Sequence, residues 1–197
     1  GGGLLTKLLG TAYATATTAV AVVGKRVFSV GDVLKQSPDA LLLVAEHIQD
    51  PRNVGVLVRT AEAAGCAALV LSADSAEPWS RQAVRSTTGS IVRLPVILDA
   101  KLPETLAKLR DTHRLSIVAT SEKAATVAYD TNLARRPLAL VVGNETSGVT
   151  QALQAVATDY VRLPMAPGGA DSLNVTVAAG VIVYEAVRQQ LAAKPLP

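Results

Sequence analysis

Six polar residues stand at spacings from which chemistry can be built: Asn53 and Arg59, Asn144 and Glu145, Ser172 and Asn174. The first pair brackets the run Asn53-Val54-Gly55-Val56-Leu57-Val58-Arg59 near a helix start. Six helical residues turn the chain by about 600°, which offsets the two side chains by roughly 120° and lets both border a cleft at a sheet edge. A plainer reading makes Asn53 a cap and Arg59 a surface cation. Asn144 and Glu145 follow the aliphatic run Leu138 to Val142, inside a turn bounded by Gly143 and Gly148. Open α/β sheets bind ligands beyond the carboxyl ends of their strands, where these two residues fall, although a solvent loop uses the same residue types. Ser172 and Asn174 follow the Pro/Gly loop Pro164 to Gly169 and sit at a helix start, where backbone N–H groups lack intrahelical partners. Beyond them Ala178-Ala179-Gly180 keeps the helix thin, which suits close approach of another backbone or plain packing within the chain.

Other chemistries fail on residue supply. One cysteine, Cys66, and two histidines, His47 and His113, assemble neither a four-ligand zinc site nor an intrachain disulfide. There is no GxGxxG, and the GxxxxG of Gly143 to Gly148 is followed by Val149-Thr150 instead of the lysine that holds terminal phosphates. A GxSxG nucleophile elbow is absent. Cys66, between a helix-ending glycine and a strand, reads as a small packing residue.

The elements that must carry the polar groups are legible from period and punctuation. Aliphatic runs at Leu41 to Val44, Ala67 to Leu71, Ile91 to Val96, Leu115 to Ala119, Leu138 to Val142 and Tyr160 to Leu163 read as strands. Helical patterns lie between them: Pro51 to Ala64 ended by Gly65, Glu104 to Arg110 opened by Pro103, and Leu173 to Leu191 preceded by Ser172 and ended at Lys194-Pro195. Strands alternating with helices predict an α/β fold, a parallel sheet flanked by helices. Residues 1–39 read as an N-terminal extension, small and Thr-rich, with the turn Ser37-Pro38-Asp39, and residues 40–197 as the single main domain.

The three polar segments together resemble the three motifs of the SpoU/TrmH family of RNA ribose 2′-O-methyltransferases, in the SPOUT superfamily, over about Leu41 to Gln190. The resemblance implies a C-terminal trefoil knot, bound S-adenosylmethionine and a homodimer with a site composed from both subunits. It puts Asn53 and Arg59 on the polar pair of the first motif, Glu145 on the acid of the second, and Ser172 and Asn174 on the polar pair of the third. Backbone contacts to the cofactor fall at Thr120, Gly143, Leu163, Met165 and Leu173. Arg85 to Ser90 resembles a further stretch between the first two motifs. The loop Ala166 to Asp171, with Pro167 and paired glycines, departs from the family pattern, and the extension is shorter than the RNA-binding domain that many ribosomal RNA members carry, reading as a remnant of one.

Composition fits this class. At 197 residues, 49% hydrophobic and 18% charged, the chain is an ordinary globular domain. One Trp, four Tyr and one Phe leave the core to aliphatic side chains and argue against a module that stacks bases on aromatic platforms. The net charge of +3 suits RNA, and basic residues concentrate between Trp79 and Arg114. Arg52, Arg59, Arg81 and Arg85 are the expected RNA contacts, with ribosomal RNA favoured over transfer RNA and DNA not expected. No apolar run approaches the length of a membrane span, and the stretch Lys7 to Val23 is interrupted by four threonines, unlike a secretory signal. A soluble cytoplasmic protein is expected. A SPOUT enzyme acting on a base nitrogen, or a non-catalytic RNA-binding protein, are the rival readings.

Overall fold

The computed structural model describes residues 23–193. Its elements run α1 (Val30–Gln36), β1 (Leu41–Ala45), α2 (Pro51–Ala63), β2 (Ala68–Ser72), α3 (Arg81–Ser86), β3 (Val96–Asp99), α4 (Leu102–His113), β4 (Ser116–Thr120), β5 (Leu138–Val142), α5 (Gln151–Val156), β6 (Asp159–Val161) and α6 (Val175–Ala193). The six strands form one parallel sheet in the order β3-β2-β1-β5-β4-β6. Every residue of β1, β2 and β5 is buried, as expected of parallel strands covered on both faces. Alternation divides them. Leu41, Leu43, Leu138, Leu140 and Val142 pack with α2 and α6, while Leu42, Val44, Ala139 and Val141 pack with α1, α4 and α5. Val30, Val33 and Leu34 of α1, within the stretch read as an extension, thus join the core; the Thr-rich start and the Lys194-Pro195 end lie outside the described residues.

The expected strand Ile91 to Val96 is divided in the structure. Gly89 adopts φ 94°, Ser90–Val92 form a 3₁₀ turn, and the strand starts only after Pro95. Proline has no N–H to give a ladder, and the Pro95 carbonyl instead accepts from Leu69 N at 3.0 Å at the strand mouth. Tyr160 to Leu163 shortens to Asp159–Val161, and the last helix starts at Val175, three residues after Ser172. Gly65 does terminate α2 in the left-handed conformation (φ 73°). Cys66 is buried, which pushes its thiol up to about 12, in keeping with a packing residue.

The chain's path around β6 positions the C-terminal ends of the strands. Val161 turns one edge to β4, accepting from Ser121 N at 2.9 Å. Arg162 turns the other edge to residues 126–128, donating to the Thr126 carbonyl and accepting from Ala128 N, both at 2.9 Å. The connection from β4 to β5 therefore passes along the outer edge of β6 before returning to the middle of the sheet. Among the described residues no helix is long and apolar enough to cross a membrane.

Candidate active site

The loops at the carboxyl ends of β4, β5 and β6 enclose a cavity of about 730 Å³. Thr120 to Lys123 supply one wall, Gly143 to Val149 the second, and the stretch from Leu163 through Ala178 much of the rest. The five positions expected to give backbone contacts, Thr120, Gly143, Leu163, Met165 and Leu173, all line it, as do Glu145 and Ser172.

The β5 loop is a closed hairpin. Asn144 N donates to the Gly148 carbonyl at 3.1 Å and Gly148 N returns to the Asn144 carbonyl at 2.8 Å. The Asn144 side chain works inward and outward: Oδ1 accepts from Thr146 N (2.9 Å) and Ser147 N (3.2 Å), while Nδ2 donates to the His47 carbonyl (3.0 Å). Gly143 has to be glycine here, since a Cβ would lie 2.2 Å from the Gly148 carbonyl carbon and oxygen. The turn thus presents Glu145 at its tip.

Glu145 joins two of the three polar segments. Its Oε1 accepts from Asn53 Nδ2 at 3.0 Å and from Asn174 Nδ2 at 2.7 Å. Asn53 is therefore not the cap of α2; Asp50 is, accepting from Arg52 N at 2.8 Å, with Pro51 in the first turn. That cap leaves the Asn53 amide, in the first turn of the helix, to meet the carboxylate. Asn174 caps α6 in turn, its Oδ1 accepting from Thr176 N (3.0 Å) and Thr176 Oγ1 (2.6 Å). With Oδ1 occupied by the helix, Nδ2 is oriented toward Glu145. Both amides thereby present a fixed orientation around one carboxylate oxygen.

Other expected residues stand apart. Ser172 is exposed on the cavity wall. Arg59 is exposed on α2, lines no part of the cavity and makes no ion pair or hydrogen bond among the described residues. The structure does not bring it to Glu145 within one chain. Arg52 lies in a bidentate pair with Asp50, 2.8 Å at Nη2, which holds the Asp50 carboxyl below its ordinary range. Arg81 and Arg85 are exposed on α3, and both are engaged within the protein.

One buried acid escaped the sequence reading. Glu46, only 4% exposed, ends β1, and its Oε2 accepts from Thr150 N (2.8 Å) and its Oε1 from Thr150 Oγ1 (2.7 Å). An acid immediately after the aliphatic run Leu41 to Ala45 was the available signal. Among the described residues no cluster of three or more His, Cys, Asp or Glu could hold a metal ion.

Comparison with known proteins bears on the family and the fold. Residues 40–184 match the model of the SpoU rRNA Methylase family. The 23S rRNA (guanosine-2′-O-)-methyltransferase RlmB of Vibrio parahaemolyticus is 36% identical over 165 residues, 84% of this chain and 66% of the relative. The chain spans just under two thirds of the length of the curated relatives first matched. A crystal structure of an RNA 2′-O ribose methyltransferase superposes with a TM-score of 0.71 at 35% identity, covering 87% of this chain and 61% of that one. The SpoU methyltransferase AviRb from Streptomyces viridochromogenes, in complex with AdoMet, superposes with a TM-score of 0.73 at 31% identity, over 79% of this chain and 62% of that one. With the family model matched over most of the chain and the sheet superposing on solved members' structures, the chain belongs to the SpoU rRNA methylase family.

Proposed function

We propose that the protein is an S-adenosylmethionine-dependent methyltransferase that methylates a ribose 2′-hydroxyl in structured RNA, with ribosomal RNA favoured over transfer RNA. The observation that carries this reading is the Glu145 carboxylate, held by Asn53 and Asn174 at the rim of the cavity. The cavity fits such a cofactor: about 730 Å³ lies within the usual range for small-molecule sites. Its walls alternate backbone from glycine-bounded loops with the apolar Leu163, Met165 and Leu173, which suits a purine and the methylene groups of a methionyl chain. Thr120, Gly143, Leu163, Met165 and Leu173 would hold it. When bound, the cofactor supplies a methyl group on a sulfonium, ready for in-line displacement by an oxygen.

The chain's own groups then position that oxygen. Asn174 and Ser172 orient the ribose hydroxyl, and Glu145 fixes the Asn53 and Asn174 amides against which it docks. Arg59 contributes a guanidinium, a group that donates hydrogen bonds and accepts none. Its role is electrostatic: a planar cation that holds a phosphate and stabilises the developing alkoxide, whose proton leaves to solvent water as the methyl group is taken. Since it does not line its own cavity, Arg59 serves the site of a second copy of the chain. That places a homodimer in the reading, with α6 at the interface, where Val177, Tyr184 and Leu191 are exposed at helical spacing. Arg52, Arg81 and Arg85 extend the RNA contact, and the setting is the cytoplasm. Residues 40–197 form the methyltransferase domain, and residues 1–39 an extension whose helix α1 packs into that domain's core. The trefoil crossing implied by the family is supported by the chain's passage around the outer edge of β6.

Arg59 tests the assignment. Arg59→Lys keeps charge but loses the fork, so it should retain more activity than Arg59→Ala, while cofactor affinity stays unchanged in both. Single-turnover transfer to transcribed 23S ribosomal RNA, alongside cofactor titration, reads this. Equal activity of Arg59→Ala and wild type would remove the role, and persistence of transfer to RNA with a 2′-deoxy target would move the acceptor to the base.

A further inference from the structure

We infer that Glu46 is a positioning residue for Glu145, acting through Thr150. This rests on the methyltransferase reading above. The hairpin carrying Glu145 is closed at Asn144 and Gly148, and the place at which its tip meets Asn53 and Asn174 depends on what fixes its base. Two consecutive residues at the end of β1 fix it at both ends. The His47 carbonyl accepts from Asn144 Nδ2 at 3.0 Å, ahead of Glu145. Glu46 takes both the N–H and the hydroxyl of Thr150, at 2.8 and 2.7 Å, behind it.

The same short segment leads through Asp50, the cap of α2, to Asn53, one of the two amides that meet Glu145. One stretch of backbone therefore sets the carboxylate and its partner together. Burying a carboxylate at 4% exposure is costly unless its oxygens are satisfied, and here each oxygen has one donor from Thr150. Nothing in the proposed chemistry touches Glu46, which lines no part of the cavity. The core alone does not call for it either, since an apolar residue would fill a strand end at lower desolvation cost.

Four variants separate positioning from folding. In Glu46→Gln the amide accepts from Thr150 N and donates to Thr150 Oγ1, so the clamp persists, and turnover should stay within threefold of wild type. Glu46→Leu and Thr150→Val each strand a polar partner, and each should lower kcat by about 10²-fold, the scale of a roughly 1 Å misplacement, with KM for RNA changed less than threefold. The double variant Glu46→Leu/Thr150→Val removes carboxylate and hydroxyl together and leaves the N–H groups of residue 150 and Leu153 without those acceptors, so its melting temperature should fall by less than the two single losses combined while kcat stays low. In both Leu variants, amide exchange at residues 144–150 should quicken at least tenfold while β1 and β5 keep their protection. Wild-type activity in Glu46→Leu, activity that tracks melting temperature in the double variant, or unchanged loop exchange would each overturn the inference. Wild-type protein that transfers no methyl group would instead overturn the methyltransferase reading, and the exchange measurement would still decide whether Glu46 holds the loop.

Discussion

A carboxylate oxygen that accepts from two asparagine amides, each at the start of its own helix, is a rigid object at the residue scale. Asn174 is locked because its other side-chain atom caps α6, whereas Asn53, spared from capping by Asp50, is held by Glu145 itself. Removing the carboxylate takes away the acceptor that both amides share without disturbing the core, since Glu145 is exposed. Glu145→Ala is thus expected to fold with an unchanged melting temperature and to lose on the order of 10²-fold in single-turnover transfer, the scale of losing one preorganised electrostatic contact. Loss of the fold instead would make Glu145 a structural tie. The residue types of this constellation were legible in the chain as polar groups at strand ends and helix starts, although caps and turns use the same types. Their partnership was not. Asn53 and Glu145 are far apart in sequence, and only the parallel pairing of β1 with β5 puts the ends of those strands side by side. Glu46 was hidden for a related reason: its partner Thr150 is supplied by a different strand's loop, and no local pattern joins them.

At the scale of elements, α2 is the piece on which most depends, since it carries Asn53 and Arg59 while packing against α3 and α6. Gly55 lets α3 approach: a Cβ there would lie 2.4 Å from the Ala83 carbonyl oxygen and 2.5 Å from the Ser86 Cβ. Gly55→Ala should therefore destabilise the protein by about 1–3 kcal/mol in urea unfolding, the usual cost of overpacking, despite alanine's better helix propensity. Further along the helix, Glu62 is held down to about 2 by hydrogen bonds from Arg93 and Ser90, which tie α2 to the 3₁₀ turn preceding β3. A depressed acid stabilises the fold above its unfolded value and loses that contribution as pH falls through its folded one. The stability difference between wild type and Arg93→Ala should accordingly be full above pH about 4.5 and shrink as pH falls toward 2, read by denaturant titration across that range. A difference that grows on acidification would reverse the assignment. Strand positions were readable where aliphatic runs are uninterrupted, as at Leu138–Val142. The misplaced start of β3 arose because Ile91 and Val92 look like strand residues but are committed to a turn by Gly89 and Pro95.

For the whole molecule, the exposed side of α6 is the feature that the sheet does not explain. Val175, Ala179, Ile182, Val183 and Ala186 face the core, whereas Val177, Tyr184 and Leu191 face outward. If that outer stripe meets a second copy, Tyr184→Asp should sediment as a monomer at micromolar concentration while wild type sediments as a dimer, and transfer should fall with it because Arg59 would no longer reach a neighbouring site. A wild-type monomer would exclude the composite site altogether. The order of the strands carries one more implication, for how the chain reaches this state. Leu41 of β1 must find Leu138 of β5, about a hundred residues later, and this pairing lies at the centre of the sheet. During synthesis the first three strands can pair among themselves, but one edge of β1, wholly aliphatic, stays open until β5 has left the ribosome. The vulnerable species is therefore a nascent half-sheet, and nascent chains stalled before Leu138 should be the ones that engage chaperones or aggregate.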